Sequence, residues 1–252
     1  MKKLYEKSEI GFAIFWIVLY TVSMGNLRNL GDDSPYMMIG LIVISVLMFL
    51  FVWKNGLLEK YGLSGWAGNS RVMLWFFPLW LITTLNLWGG VTPRFPMPGQ
   101  LFVLVSMAFV GFAEELIFRG FLFKAMLKNG HVKTAVIVSS ITFGIGHILN
   151  LFTGHELAET LKQIAFAVTY GFLVTMVFYK SGSLLPCILS HSLFDMFAEY
   201  ASRDASPLLD WIGHGVVVVL TIVYCLYLIK RVETPAVNRF GTSGEAPSCP
   251  QA

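Results

Sequence analysis

The sequence predicts an all-α fold, a polytopic integral membrane bundle of about eight transmembrane helices. Three observations lead there. Of the 252 residues, 56% are hydrophobic and only 13% charged, against about 25% charged in a soluble domain. Mean hydropathy is +0.67. Apolar runs recur near the ~20-residue length that crosses hydrocarbon. The charges gather between those runs, and lysine and arginine crowd onto alternate loops.

The first run, 9–26, follows Met-Lys-Lys-Leu-Tyr-Glu-Lys. No small-x-small cleavage site follows it, so it reads as an uncleaved helix rather than a signal peptide. The second, 35–54, ends at Lys54, and the third covers 72–89. The fourth, 100–123, and the fifth, 134–152, flank Lys124, Lys128 and Lys133. The sixth, 161–179, ends at Lys180; the seventh is 183–200; the eighth, 208–229, ends at Lys230 and Arg231. The first, third and seventh are the least regular. With the N-terminus cytoplasmic, the inner segments hold 13 lysines and arginines and the outer loops only Arg28, Arg94, Lys162 and Arg203, with Arg119 set aside. The positive-inside rule then puts both termini in the cytoplasm. The membrane domain is expected over 1–235, with 236–252 as a flexible polar tail rich in proline and glycine.

Net charge is +3, which gives no sign of nucleic-acid binding. Cys187, Cys225 and Cys249 have no paired spacing, so neither a disulfide framework nor a cysteine metal cluster is expected. The end Cys249-Pro-Gln-Ala has the formal C-a-a-X spacing of a prenylation signal, but Pro and Gln suit its aliphatic positions poorly. It reads as chance.

Polar residues inside the apolar runs carry the functional information, because a charge at bilayer depth is costly and usually marks a site. They recur in three places. In Glu114-Glu115-Leu-Ile-Phe-Arg119, Glu115 and Arg119 are i,i+4 neighbours that can pair. Glu114 is turned about 100° away and left available; a structural ion pair with a spare acid is the plainer alternative. In Phe143-Gly-Ile-Gly-His147, Phe143 and His147 share a helix face. Gly144 and Gly146 allow a helix or a substrate to come close, and Asn150, one turn on, is placed to hold the His147 ring. In His191-Ser-Leu-Phe-Asp195, the i,i+4 pair can fix an imidazole tautomer or supply two metal ligands. Counted from Lys128, Lys133 and Lys180, all three places fall near mid-membrane, which favours one shared site. With neutral histidines the cluster carries an excess of two negative charges. It must take up protons, charge its histidines or bind a cation. Glu114, His147, His191 and Asp195 would suit zinc as that cation, although the HExxH motif is absent. His131 and His155 fall in loops and His214 near the start of the last run, and all three read as structural.

These motifs, in this order over about 100–200, resemble the CPBP family of CAAX proteases and bacteriocin-processing enzymes, also called Abi, whose pattern is EExxxR, FxxxH and HxxxN or HxxxD. The resemblance implies an intramembrane endopeptidase similar to the Ras-converting CAAX endopeptidase. By that resemblance Glu114 and His147 activate the attacking water, and His191 with residue 195 stabilises the oxyanion. Glu115, Arg119 and Phe143 support them. Asp195 departs from the asparagine variant: an amide donates to an oxyanion, whereas an ionised carboxylate repels it. The expectation here is that His191 carries that role and Asp195 orients it. The implied partners are a membrane-associated peptide or protein substrate and the lipid bilayer, in a prokaryotic plasma membrane. Two other readings compete: a non-catalytic immunity or scaffold protein of the same fold, and a proton-coupled transporter relaying protons through the buried acids.

Overall fold

The computed structural model describes residues 1–238 apart from 129, 155 and 203–205. Its described residues form helices and connecting loops, with one isolated bridge between Val91 and Ala201. In chain order we label α1 (Lys2–Lys7), α2 (Glu9–Arg28), α3 (Pro35–Lys54), α4 (Leu74–Thr83), α5 (Gly99–Leu127), α6 (Val132–Leu151), α7 (Leu157–Ser181), α8 (Leu185–Ala198) and α9 (Pro207–Arg231). Six of them, α2, α3, α5, α6, α7 and α9, are long and apolar enough to cross a membrane. The other two expected spans, near 72–89 and 183–200, appear as the shorter apolar helices α4 and α8.

Local chemistry sets the ends. The Ser8, Ser34 and Ser206 side chains accept hydrogen bonds from the amides of Gly11, Tyr36 and Leu208, capping α2, α3 and α9. Pro35, Pro186 and Pro207 occupy first-turn positions, where a missing N–H costs nothing. Gly182 ends α7 at φ 72°, a left-handed conformation glycine adopts freely.

Helix α5 lies at the centre. It packs against α3 and α8, and its second half also meets α2 and α6, while α7 packs on α6 and α9. Contact is close where glycines allow it. A Cβ on Gly111 would sit 2.6 Å from the Ser192 amide nitrogen on α8, and one on Gly144 would sit 2.8 Å from that of Val168 on α7. Outward faces carry exposed apolar side chains, such as Ile14, Val18 and Val22 on α2 and Ile137, Ile141 and Ile145 on α6. In water such stripes would be a liability; against lipid they are the expected surface.

Ion pairs gather toward the two ends of the bundle. Glu9 binds Lys60 at 2.5 Å and Lys128 at 3.4 Å at the lysine-rich end. Arg94 binds Glu199 at 3.1 Å and Asp32 at 3.6 Å at the other. Of the stretch read as a tail, 239–252 lies outside the described residues. Ala236–Asn238 forms one turn docked on the lysine-rich end. There Lys124 donates to the Val237 carbonyl and the Asn238 Oδ1, and Asn238 donates to the carbonyls of Phe178 and Tyr179.

Candidate active site

Helix α5 carries both acids, and one residue, a rotation of about 100°, separates their fates. Glu115 faces inward, where its Oε1 accepts from Arg119 Nη1 at 2.9 Å; both side chains are fully buried. This is the pair the i,i+4 spacing predicts. It stands at the start of a wider, π-type stretch, Leu116–Phe123, in which every residue is buried. Such widenings often accompany functional sites. The Arg119 guanidinium also lies over the Phe143 ring, 4.2 Å from its centre, a cation–π contact strengthened by the absence of water.

Glu114 points the other way, into a cavity of about 360 Å³. The walls of this cavity include all four expected catalytic residues, Glu114, His147, His191 and Asp195, together with Phe143 and Asn150. The Tyr20 hydroxyl, from α2, donates to Glu114 Oε1 at 3.1 Å. The other oxygen, Oε2, stands 3.8 Å from His191 Nε2. Phe143 meets both histidine rings edge-on, with centres 5.7 Å from His147 and 5.6 Å from His191.

His191 is held differently from the expectation. Its Nδ1 lies 2.9 Å from Glu115 Oε1, whereas Asp195 Oδ2 lies 3.4 Å from Nε2. Glu115 therefore orients the ring, and Asp195 stands on the nitrogen that faces the cavity. One carboxylate oxygen accepts from both Arg119 and His191, a link the i,i+4 pattern could not show because it joins α5 to α8. Asn150 also has another task. It accepts from Arg28 Nη1 at 2.6 Å and donates to Gln163 Oε1 at 2.7 Å, rather than holding His147.

Sequence reasoning missed Tyr20, Arg28 and Tyr170. Tyr170 packs its ring 5.8 Å from His191 and shares a hydrogen bond with Ser190, which is bonded in turn to Thr83. Tyr20 and Tyr170 are single tyrosines in apolar runs and Arg28 reads as an outer-loop cation, so none leaves a local signal. His131 stands at the N-terminus of α6, and His214 packs edge-on against Phe166. His155 lies outside the described residues. At the cavity mouth, burial raises the Glu199 carboxyl above the ordinary range, against the downward pull of Arg94.

Among the described residues, no three His, Cys, Asp or Glu side chains are arranged to hold a metal ion. The four residues expected as zinc ligands share the cavity without forming such a set.

Residues 97–197 match the family model described as Type II CAAX prenyl endopeptidase Rce1-like. Over that segment the chain is similar to the type II CAAX prenyl endopeptidases. The match runs from just before α5 almost to the end of α8 and holds all three motifs, as the resemblance to the CPBP family implied. No curated protein and no solved structure matches the chain. Six helices long and apolar enough to cross a membrane and the similarity to a CAAX-type endopeptidase family both support an integral membrane protein.

Proposed function

We propose that the chain hydrolyses a peptide bond inside the membrane, with Glu114 as general base and His191 as oxyanion donor. The observation that carries this reading is the shared cavity, with Glu114, His147, His191 and Asp195 in its wall and the Glu115–Arg119 pair sealed behind it. Glu114 takes a proton from water as the water oxygen bonds to the carbonyl carbon, and the carbonyl π pair moves onto its oxygen. Collapse re-forms the carbonyl, breaks the C–N bond and passes the proton to the leaving amine. Such positioned proton transfer contributes typically about 10²–10⁴-fold.

The geometry constrains His191. Its Nδ1 faces the Glu115 oxygen that accepts from Arg119, and so is assigned the hydrogen. Donating to an oxyanion from Nε2 needs a second proton, so His191 acts as imidazolium. The charge of Asp195, 3.4 Å away, then compensates that cation until the oxyanion forms. This replaces the ring-orienting role first expected of Asp195. His147, on the opposite helix, is the second proton acceptor beside the water.

The cavity wall also includes Arg28, Asp32, Arg94 and Glu199, toward the end poor in basic residues. With the lysine-rich end cytoplasmic, the site opens on the opposite face of the membrane, toward exported or outer-leaflet peptides.

The test is cleavage of a membrane-peptide library by purified protein and by Glu114→Ala, His147→Ala and His191→Ala variants, with and without chelator. Cleavage by wild type, lost in the variants and resistant to chelator, is expected. Wild type as inert as the variants refutes the reading, and chelator-sensitive cleavage with stoichiometric zinc replaces the water-activation scheme with a metal one.

A further inference from the structure

We infer that the attacking water reaches Glu114 and His147 through a second, smaller cleft between α2 and α6, separate from the cavity that takes the peptide. This rests on the endopeptidase reading above. The smaller cavity measures about 90 Å³, the larger about 360 Å³. Glu114, Phe143 and His147 line both, so the two proton acceptors stand in a shared wall. Away from that wall the cavities diverge. The larger continues onto α7 and α8, at Tyr170, His191 and Asp195. The smaller is completed by Tyr20, Thr21 and Gly25 of α2 and by Gly146 and Leu149 of α6.

Size and chemistry select water. A molecule of liquid water occupies about 30 Å³, so the smaller cavity holds a few, each needing polar partners. A peptide does not fit there. The polar partners are the side chains of Tyr20, Thr21, Glu114, His147 and Asn150. The Tyr20 hydroxyl donates to Glu114 Oε1 at 3.1 Å, and its oxygen keeps lone pairs that accept from water. A second route matters because each bond broken consumes one water. A peptide seated in the larger cavity covers Glu114 and His147 from that side and displaces the water there.

Two glycines keep the cleft open. A Cβ on Gly25 or Gly146 would meet no heavy atom within 4 Å, and both residues are exposed. Gly144 is the contrast: it faces α7, where a Cβ would sit 2.8 Å from the Val168 nitrogen. Gly25 lies three residues before Arg28, the last residue of α2, a depth of about 4.5 Å. Gly146 begins the tighter 3-10 stretch in which α6 ends. Water among the headgroups at that end therefore has a short path to the base.

The test fills the cleft and then probes whether it is wet. Gly25→Leu and Gly146→Leu are expected to lower kcat for a membrane peptide about 10- to 100-fold with KM unchanged. Ile148→Leu is the control and keeps both constants: Ile148 is exposed on α6, nearer the helix end than Gly146, and lines neither cavity. Unchanged kcat in both glycine variants overturns the inference. A raised KM at unchanged kcat makes the cleft a passage for peptide and overturns it too. Thiols react as thiolates, which need water, so Gly146→Cys should react with methanethiosulfonate ethylammonium at least about 10-fold faster than Ile148→Cys, with wild type giving the background of the native cysteines. Equal reactivity refutes a wet cleft. If no peptide is cleaved, the endopeptidase reading fails by itself; in that case, or if the leucine variants do not fold, the cysteine comparison decides the water path alone.

Discussion

Glu115 should be the residue whose removal separates stability from catalysis. Replacing it with alanine strips the partner from a guanidinium that is fully buried, and Arg119 Nη2 already lacks an acceptor. Breaking a buried ion pair from one side costs about 3–5 kcal/mol. The same change frees His191 Nδ1 from its 2.9 Å contact, so the ring loses both its tautomer and its direction. Activity should fall on the order of 10²–10⁴-fold, the worth of a positioned proton donor or acceptor. The double variant Glu115→Leu/Arg119→Met removes both charges and restores apolar contact, which is often neutral or stabilising. Unfolding by SDS titration in mixed micelles should show the single variant weakened by about 3–5 kcal/mol and the double variant near wild type, while peptide cleavage stays lost in both. A double variant with wild-type activity refutes the claim that Glu115 positions His191. A single variant of unchanged stability refutes the claim that Arg119 depends on it.

Gly144→Ala should destabilise, because its Cβ would meet the Val168 backbone nitrogen at 2.8 Å, whereas Gly146→Ala, with nothing within 4 Å, should be tolerated; overpacking of this kind costs about 1–3 kcal/mol, read by the same titration. Glu199 gives a pH signature. Its carboxyl is raised in the folded state, so its contribution to stability is fully present below the unfolded value of about 4.3 and is lost as pH rises through the folded value. Wild type should therefore lose stability relative to Glu199→Gln between acid and neutral pH, and a constant difference across unfolding midpoints would exclude this. For membrane orientation, Asp32→Cys in intact cells should react with an impermeant thiol reagent while Lys60→Cys reacts only after permeabilisation; the reverse pattern would move the cavity mouth to the cytoplasm.

The sequence made the bundle legible because transmembrane length and charge asymmetry are one-dimensional signals. It was least clear where helices are short: α4 and α8 do not reach spanning length, yet α8 brings His191 and Asp195 to the site. The Glu115–Arg119 pair was readable because its partners are one turn apart. The Glu115–His191 contact was not, since 76 residues separate them. Tyr20 and Arg28 on α2 stand outside the segment that matches the family model, and only packing brings that helix to the cavity. The role of Asn150 was misplaced for the same reason: a neighbour one turn away competed with a distant arginine, and the arginine won.

The docked turn at Ala236–Asn238 has a consequence for biosynthesis. Lys124 is buried and finds its acceptors on residues made more than a hundred positions later. A nascent chain that has inserted α5 therefore still lacks these two acceptors. Until Val237 and Asn238 have been made, neither of these two hydrogen bonds can form. Closure of the lysine-rich end over Lys124 by this turn therefore follows synthesis of α9.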